Sequence, residues 1–188
     1  MSVYKFYIYS DASFYKAKLV GVSGFLIFRS SVEHEAGVLP LSLIRTVTFQ
    51  EKTNIRAELK GILSALETAT AEIKRIGEKE VLENIEVNLY TDCQTVTQLL
   101  MRREKLEASS FLSHRKKTIL PNADLYKTFF ELYDRLRPRV FWVKGHSPQR
   151  GQNLIQKNFR MIDQIVRKEL RAKVRDPHGW KILPPDKG

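Results

Sequence analysis

The stretch VYKFYIYSDAS, residues 3–13, decides the fold. From residue 3 to residue 10 aromatic and β-branched side chains fall on both faces, which is the pattern of a central strand buried on two sides rather than an edge strand. Asp11 stands where that strand is expected to stop. Outward from it, VGVSGFLIFR (20–29) and IRTVTFQ (44–50) read as two more strands, with EHEAGVLPLS (33–42) as turn material between them. Residues 3–50 therefore predict an antiparallel meander.

Beyond the meander, Ile55, Leu59, Ile62, Leu63, Leu66, Ala69, Ile73 and Ile76 draw one apolar stripe, which predicts a helix over 54–76. Thr53 or Asn54 can cap its start, and Gly77 can end it. IEVNLYT (85–91) alternates like a strand, and a helix is expected after Asp92. Residues 101–121 read as an irregular basic stretch carrying Arg102, Arg103, Lys105, Arg115, Lys116 and Lys117. A helix over 123–136 ends before Pro138, a strand spans 139–143, and a basic helix runs from 159 to 173. This order predicts an α/β fold with a five-stranded mixed sheet, three strands antiparallel and then two parallel, flanked by helices. One domain, 1–173, is expected, followed by a Pro-containing tail, 174–188.

Of 188 residues 43% are hydrophobic, enough for a packed core and incompatible with a disordered chain. No apolar run approaches the ~20 residues that span a bilayer, and no membrane association is expected. One cysteine excludes an internal disulfide framework; with no signal-like opening segment, a reducing, cytoplasmic setting is expected. The net charge of +11 is uneven. Residues 1–100 hold 11 basic and 12 acidic side chains, whereas residues 101–188 hold 21 basic and 9 acidic. Such a balance suggests a polyanionic partner.

Four acids stand out by position: Asp11 and Asp92 at expected strand ends, Glu58 in the first turn of the long helix, and Asp163 within the basic helix segment RMIDQIVRKEL. If the first and fourth strands are parallel neighbours, Asp11 and Asp92 emerge at one carboxyl edge, where open sheets build their sites. Two unit charges ~4 Å apart repel by ~4 kcal/mol at an effective dielectric of ~20. A pair of divalent cations removes that conflict, and oxygen ligands select hard ions such as Mg²⁺ or Mn²⁺.

Five segments together resemble the type 1 ribonuclease H family over roughly residues 3–172: IYSDAS, TNIRAEL, LYTDCQTV, NADLYKTF and FWVKGHS. The resemblance implies metal-dependent endonucleolytic hydrolysis of the RNA strand of RNA–DNA hybrids, leaving 5′-phosphate ends. It implies that Asp11, Glu58, Asp92 and Asp163 are ligands of two Mg²⁺ ions and that His146 assists proton transfer or product departure. Ser13, Thr53, Asn54, Arg56, Gln94 and Lys144 would touch the hybrid, and Lys116 and Lys117 would belong to a basic handle that holds it. A monomer is expected. Some features depart from the family: Ala12 stands for the usual Gly, FYKAKLVG for a Gly-rich loop, and Cys93 for Ser, as a small packed thiol. The loop GHSPQRGQNLIQKN reads as an insertion, and His34, His114 and His178 read as surface residues. The competing readings are a DNA-directed nuclease of the same superfold and a catalytically inactive nucleic-acid-binding module; TNIRAEL and the Lys-Gly-His loop favour the ribonuclease.

Overall fold

The computed structural model describes residues 4–36, 41–76, 84–145 and 152–175. Five strands form one sheet: β1 (Tyr4–Tyr15), β2 (Val20–Phe28), β3 (Arg45–Gln50), β4 (Ile85–Thr91) and β5 (Arg139–Trp142), in the spatial order β3-β2-β1-β4-β5. The β1–β2 and β2–β3 pairs are antiparallel, while β1–β4 and β4–β5 are parallel. This is the expected mixed sheet, with β1 at its centre.

β1 is longer than its sequence suggests. Its parallel partner β4 leaves it at Ser10↔Thr91, but β2 follows it antiparallel as far as Tyr15↔Val20. Asp11 therefore lies inside a strand, at the point where one of its two neighbours ends.

Alternation along β1 sends Phe6 and Ile8 to one face and Tyr9 to the other. On the first face lie α2 (Asn54–Ile76) and α5 (Ala123–Leu136), through Leu59, Ile62, Leu66, Phe129 and Phe130. On the second lies α6 (Leu154–Arg175), through Phe159, Ile162, Val166 and Leu170. A Cβ at Gly61 would sit 2.5 Å from that of Ser23, so only hydrogen fits there and α2 lies close on β2. Among the described residues no helix is long and apolar enough to cross a membrane.

Four local expectations are corrected. The segment read as turn holds a short helix, α1 (Ser31–Ala36), and a 3₁₀ turn over Leu41–Leu43. The basic stretch is not irregular throughout. After α3 (Gln94–Leu99) and a 3₁₀ turn it forms α4 (Arg103–Ala108), pinned by buried Leu106 and Phe111, and an isolated bridge pairs Leu112 with Ile119. The last helix starts at Leu154 rather than at residue 159, so the last five residues of the supposed inserted loop, 154–158, are helical. Its cause is a capping box: Asn153 Oδ1 accepts the Gln156 N–H at 2.9 Å and Gln156 Oε1 accepts the Asn153 N–H at 3.1 Å. Finally, His34 is not a free surface residue. Its ring stacks on Tyr7 with centroids 3.9 Å apart, and its Nε2 is hydrogen-bonded to the Tyr9 hydroxyl at 2.6 Å. Gly77, His146 and His178, and the tail from residue 176, lie outside the described residues.

Candidate active site

The carboxyl edge of β1 and β4 opens into a polar pocket of about 290 Å³ lined by Asp11, Glu58, Asp92 and Asp163. Each acid comes from a different place. Asp11 lies in β1, Asp92 follows the last residue of β4, Glu58 lies in the second turn of α2, and Asp163 lies midway along α6. The register Ser10↔Thr91 sets Asp11 and Asp92 side by side. The sheet faces do the rest, because α2 covers one side of β1 and α6 the other.

The electrostatics match the crowding. Burial, and then the neighbouring Asp92 carboxylate, push Asp11 up to about 8 against the opposing hydrogen bond from the Ala12 N–H at 2.8 Å. Glu58 is raised too, chiefly by burial, although hydrogen bonds from the Cys93 thiol and the Asn54 amide favour its charged form. Cys93 is the small packed thiol expected, 3% exposed; burial first and Glu58 second push it up to about 12, so it stays an S–H donor. Asp163 accepts Arg167 Nε at 2.6 Å. A Cβ on Gly145 would come within 2.8 Å of Asp92 Oδ2, so a side chain there would have to push this carboxylate aside.

Of the residues expected to meet substrate, Ser13, Asn54 and Lys144 line the pocket. Thr53, Arg56, Gln94, Lys116 and Lys117 do not. Thr53 caps α2, its Oγ1 accepting the Arg56 N–H at 3.3 Å. Arg56 ties elements together: Nε donates to Glu51 at 2.7 Å, and its two terminal nitrogens meet Asp124 at 2.9 and 2.7 Å. Gln94 is exposed at the start of α3, and Lys116 and Lys117 lie on an exposed loop closed by Ser113 N–H to Thr118 O at 2.7 Å. Sequence reasoning missed Gln152, Gln156, Arg160 and Arg167, all of which line the pocket. The signal was present: Gln156, Arg160, Asp163 and Arg167 recur at helical spacing once the capping box moves the helix start.

These residues fit divalent cations by the chemistry of their donors, several carboxylate oxygens in a polar pocket, one of them already driven towards its neutral form. In this conformation no three Asp, Glu, His or Cys side chains among the described residues converge to hold one ion.

A model of the family described as RNase H matches residues 4–171. No curated protein matches the sequence. Among solved structures, a foamy viral protease-reverse transcriptase in complex with dsDNA is 16% identical with a TM-score of 0.54, covering 86% of this chain and 92% of that one. LC9-RNase H1, a type 1 RNase H with the type 2 active-site motif, is 15% identical with a TM-score of 0.62, covering 92% and 74%. The native prototype foamy virus protease-reverse transcriptase is 17% identical with a TM-score of 0.62, covering 87% and 21%. At these identities the likeness is one of fold.

Proposed function

This chain belongs to the RNase H family, and from that premise we propose that it is a metal-dependent endonuclease hydrolysing the RNA strand of RNA–DNA hybrids to 5′-phosphate products. One observation carries the reading: four acids from four elements line a single polar pocket at the carboxyl edge of the central strands. Asp11, Glu58, Asp92 and Asp163 would hold two Mg²⁺ ions, or Mn²⁺ in their place. Two such ions supply Lewis-acid stabilisation to the attacking and leaving oxygens of an in-line displacement.

The chain's own groups do the remainder. Asn54 and Cys93 hold the Glu58 carboxylate by hydrogen bonds and keep it aimed into the pocket. The Ala12 N–H orients Asp11, and Gly145 lets the chain pass Asp92 without displacing it. Lys144 and Arg160, at the pocket wall, would meet phosphate oxygens, and the Ser13 hydroxyl would meet the sugar-phosphate backbone. His146, one residue past Gly145, is proposed to move a proton at the departing oxygen. Discrimination for RNA would rest on contacts to the 2′-hydroxyl.

The test is Asp11→Asn and Asp92→Asn assayed on an end-labelled RNA–DNA hybrid with Mg²⁺, beside duplex DNA and duplex RNA. Both variants are expected to lose cleavage, and the wild-type chain is expected to cut only the hybrid. Undiminished cleavage by both variants sinks the metal-site reading; preferential cutting of duplex DNA sinks the choice of substrate.

A further inference from the structure

The segment FYKAKLVG, residues 14–21, stands where the family carries a Gly-rich loop, and the pocket uses only its first residue. The structure gives the rest of it a place. Beyond Ser13 and Phe14, at the pocket wall, β1 ends in a 3₁₀ turn over Lys16–Lys18, and Lys18 Nζ donates to the Val174 carbonyl at 2.7 Å. The turn is thus docked on the final turns of α6.

On that helix Arg160, Arg167, Arg171 and Arg175 follow at intervals of seven, four and four residues, which keeps them along one flank. Arg160 and Arg167 line the pocket, whereas Arg171, Arg175 and Lys16 are exposed beyond it. Among the described residues acids do not interrupt this flank past the pocket. Asp163 is paired with Arg167, and Glu169 points about 160° around the helix from Arg171. Basic residues at a helix C-terminus can merely complement its dipole. That accounts for Lys18, which is bonded to a last-turn carbonyl, but not for Lys16, which lies on another element and is exposed.

We propose that Lys16, Arg171 and Arg175 form a phosphate track that holds the nucleic-acid duplex beyond the cleavage pocket, with Lys18 as the residue that positions the turn. The proposal rests on the reading of the pocket as a hybrid-cleaving site, and it extends that site along α6. From Arg160 to Arg175 the helix rises about 22 Å, the length of six or seven base pairs at ~3.4 Å each. The occupant is a nucleic acid because a row of exposed cations continuous with the pocket complements a row of phosphates, and their contact releases counterions.

The experiment compares the wild-type chain with the triple variant Lys16→Ala, Arg171→Ala, Arg175→Ala. Binding of fluorescein-labelled RNA–DNA hybrids of about 8 and about 20 base pairs is measured in EDTA across a salt series. The wild type is expected to favour the long hybrid, and the variant to lose that preference. The slope of log affinity against log salt should flatten by about 2–3, near 0.9 per lost phosphate contact. An unchanged slope and an unchanged long-over-short preference overturn the track. So does a variant that loses only sedimentation with phosphatidylserine vesicles, which would make the surface a membrane contact. Far-ultraviolet circular dichroism confirms that the variant is folded. If the hybrid binds through these residues but is never cut with Mg²⁺ or Mn²⁺, the functional reading fails and the track stands. If it is cut equally well by the variant at every length, the track fails and the reading stands.

Discussion

At the residue scale, close approach and burial do most of the work. Gly145 is the clearest case, since an added Cβ would meet Asp92 Oδ2 at 2.8 Å. Gly145→Ala is expected to turn that carboxylate out of place and lower kcat on the hybrid by roughly 10²-fold, the scale of an ångström misplacement. Circular dichroism should show the fold retained; full activity would mean that the Gly145 position does not hold Asp92 in place. His34 offers a second test. Burial lowers its pKa, and its ring is hydrogen-bonded to the Tyr9 hydroxyl while stacking on Tyr7. Below its ordinary value of about 6.5 the unfolded chain then binds more protons at this site than the folded one, so the His34 contribution to stability falls as pH falls. Asp11, raised to about 8, contributes the opposite slope over the same range, so the test is a comparison of two chains. His34→Phe keeps a stacking ring without the titrating group, and between about pH 7.5 and about pH 5 its urea midpoint should fall less, or rise more, than that of the wild type.

At the element scale, the helices are held to the sheet by polar ties as well as by apolar faces. Glu51, which follows β3, receives Arg56 Nε and Lys60 Nζ, each at 2.7 Å, and Arg56 reaches on to Asp124 at the start of α5. The Arg of TNIRAEL and the Asp of NADLYKTF are thus partners, which gives two of the five segments a structural reason to occur together. Glu51 lies below its ordinary pKa; burial opposes this, and the hydrogen bonds and charges of Lys60 and Arg56 outweigh it. Its contribution is complete above the unfolded value of about 4.3 and is lost as pH falls through the lower folded value. Glu51→Gln should cost about 2 kcal/mol at neutral pH. That is less than the ~3–5 of a fully enclosed pair, because Arg56 and Lys60 keep some solvent access. The variant should also show a flatter acid limb below about pH 4 in denaturant titrations. The capping box of α6 is a further tie. Asn153→Ala is expected to destabilise by about 1 kcal/mol. Because it frays the turn bearing Gln156, hydrogen exchange at the start of α6 should speed up.

At the scale of the whole molecule, acids from four elements meet only when the domain is folded, so a cation that binds them binds the native state alone. Saturating Mg²⁺ should therefore raise Tm, by up to ~2.7 kcal/mol of added stability at a hundred times Kd. Asp11→Asn with Asp92→Asn should abolish the rise. A wild-type chain indifferent to millimolar Mg²⁺ and Mn²⁺ would count against the site. The sequence by itself determined the order of the five strands and of α2, α3, α5 and α6, and the two-sided burial of residues 3–10, because alternation and helical periodicity are local. It also marked Asp11, Asp92, Glu58 and Asp163, which stand at or near element ends or alone in a basic run. Only the tertiary structure decided what depends on distant partners. β2 carries β1 past Asp11, Asp124 engages Arg56 away from the pocket, Tyr7 and Tyr9 capture His34, and the Lys16–Lys18 turn lies on α6. None of these could be read from spacing, since each is set by a side chain or strand more than twenty residues away or by the register between strands.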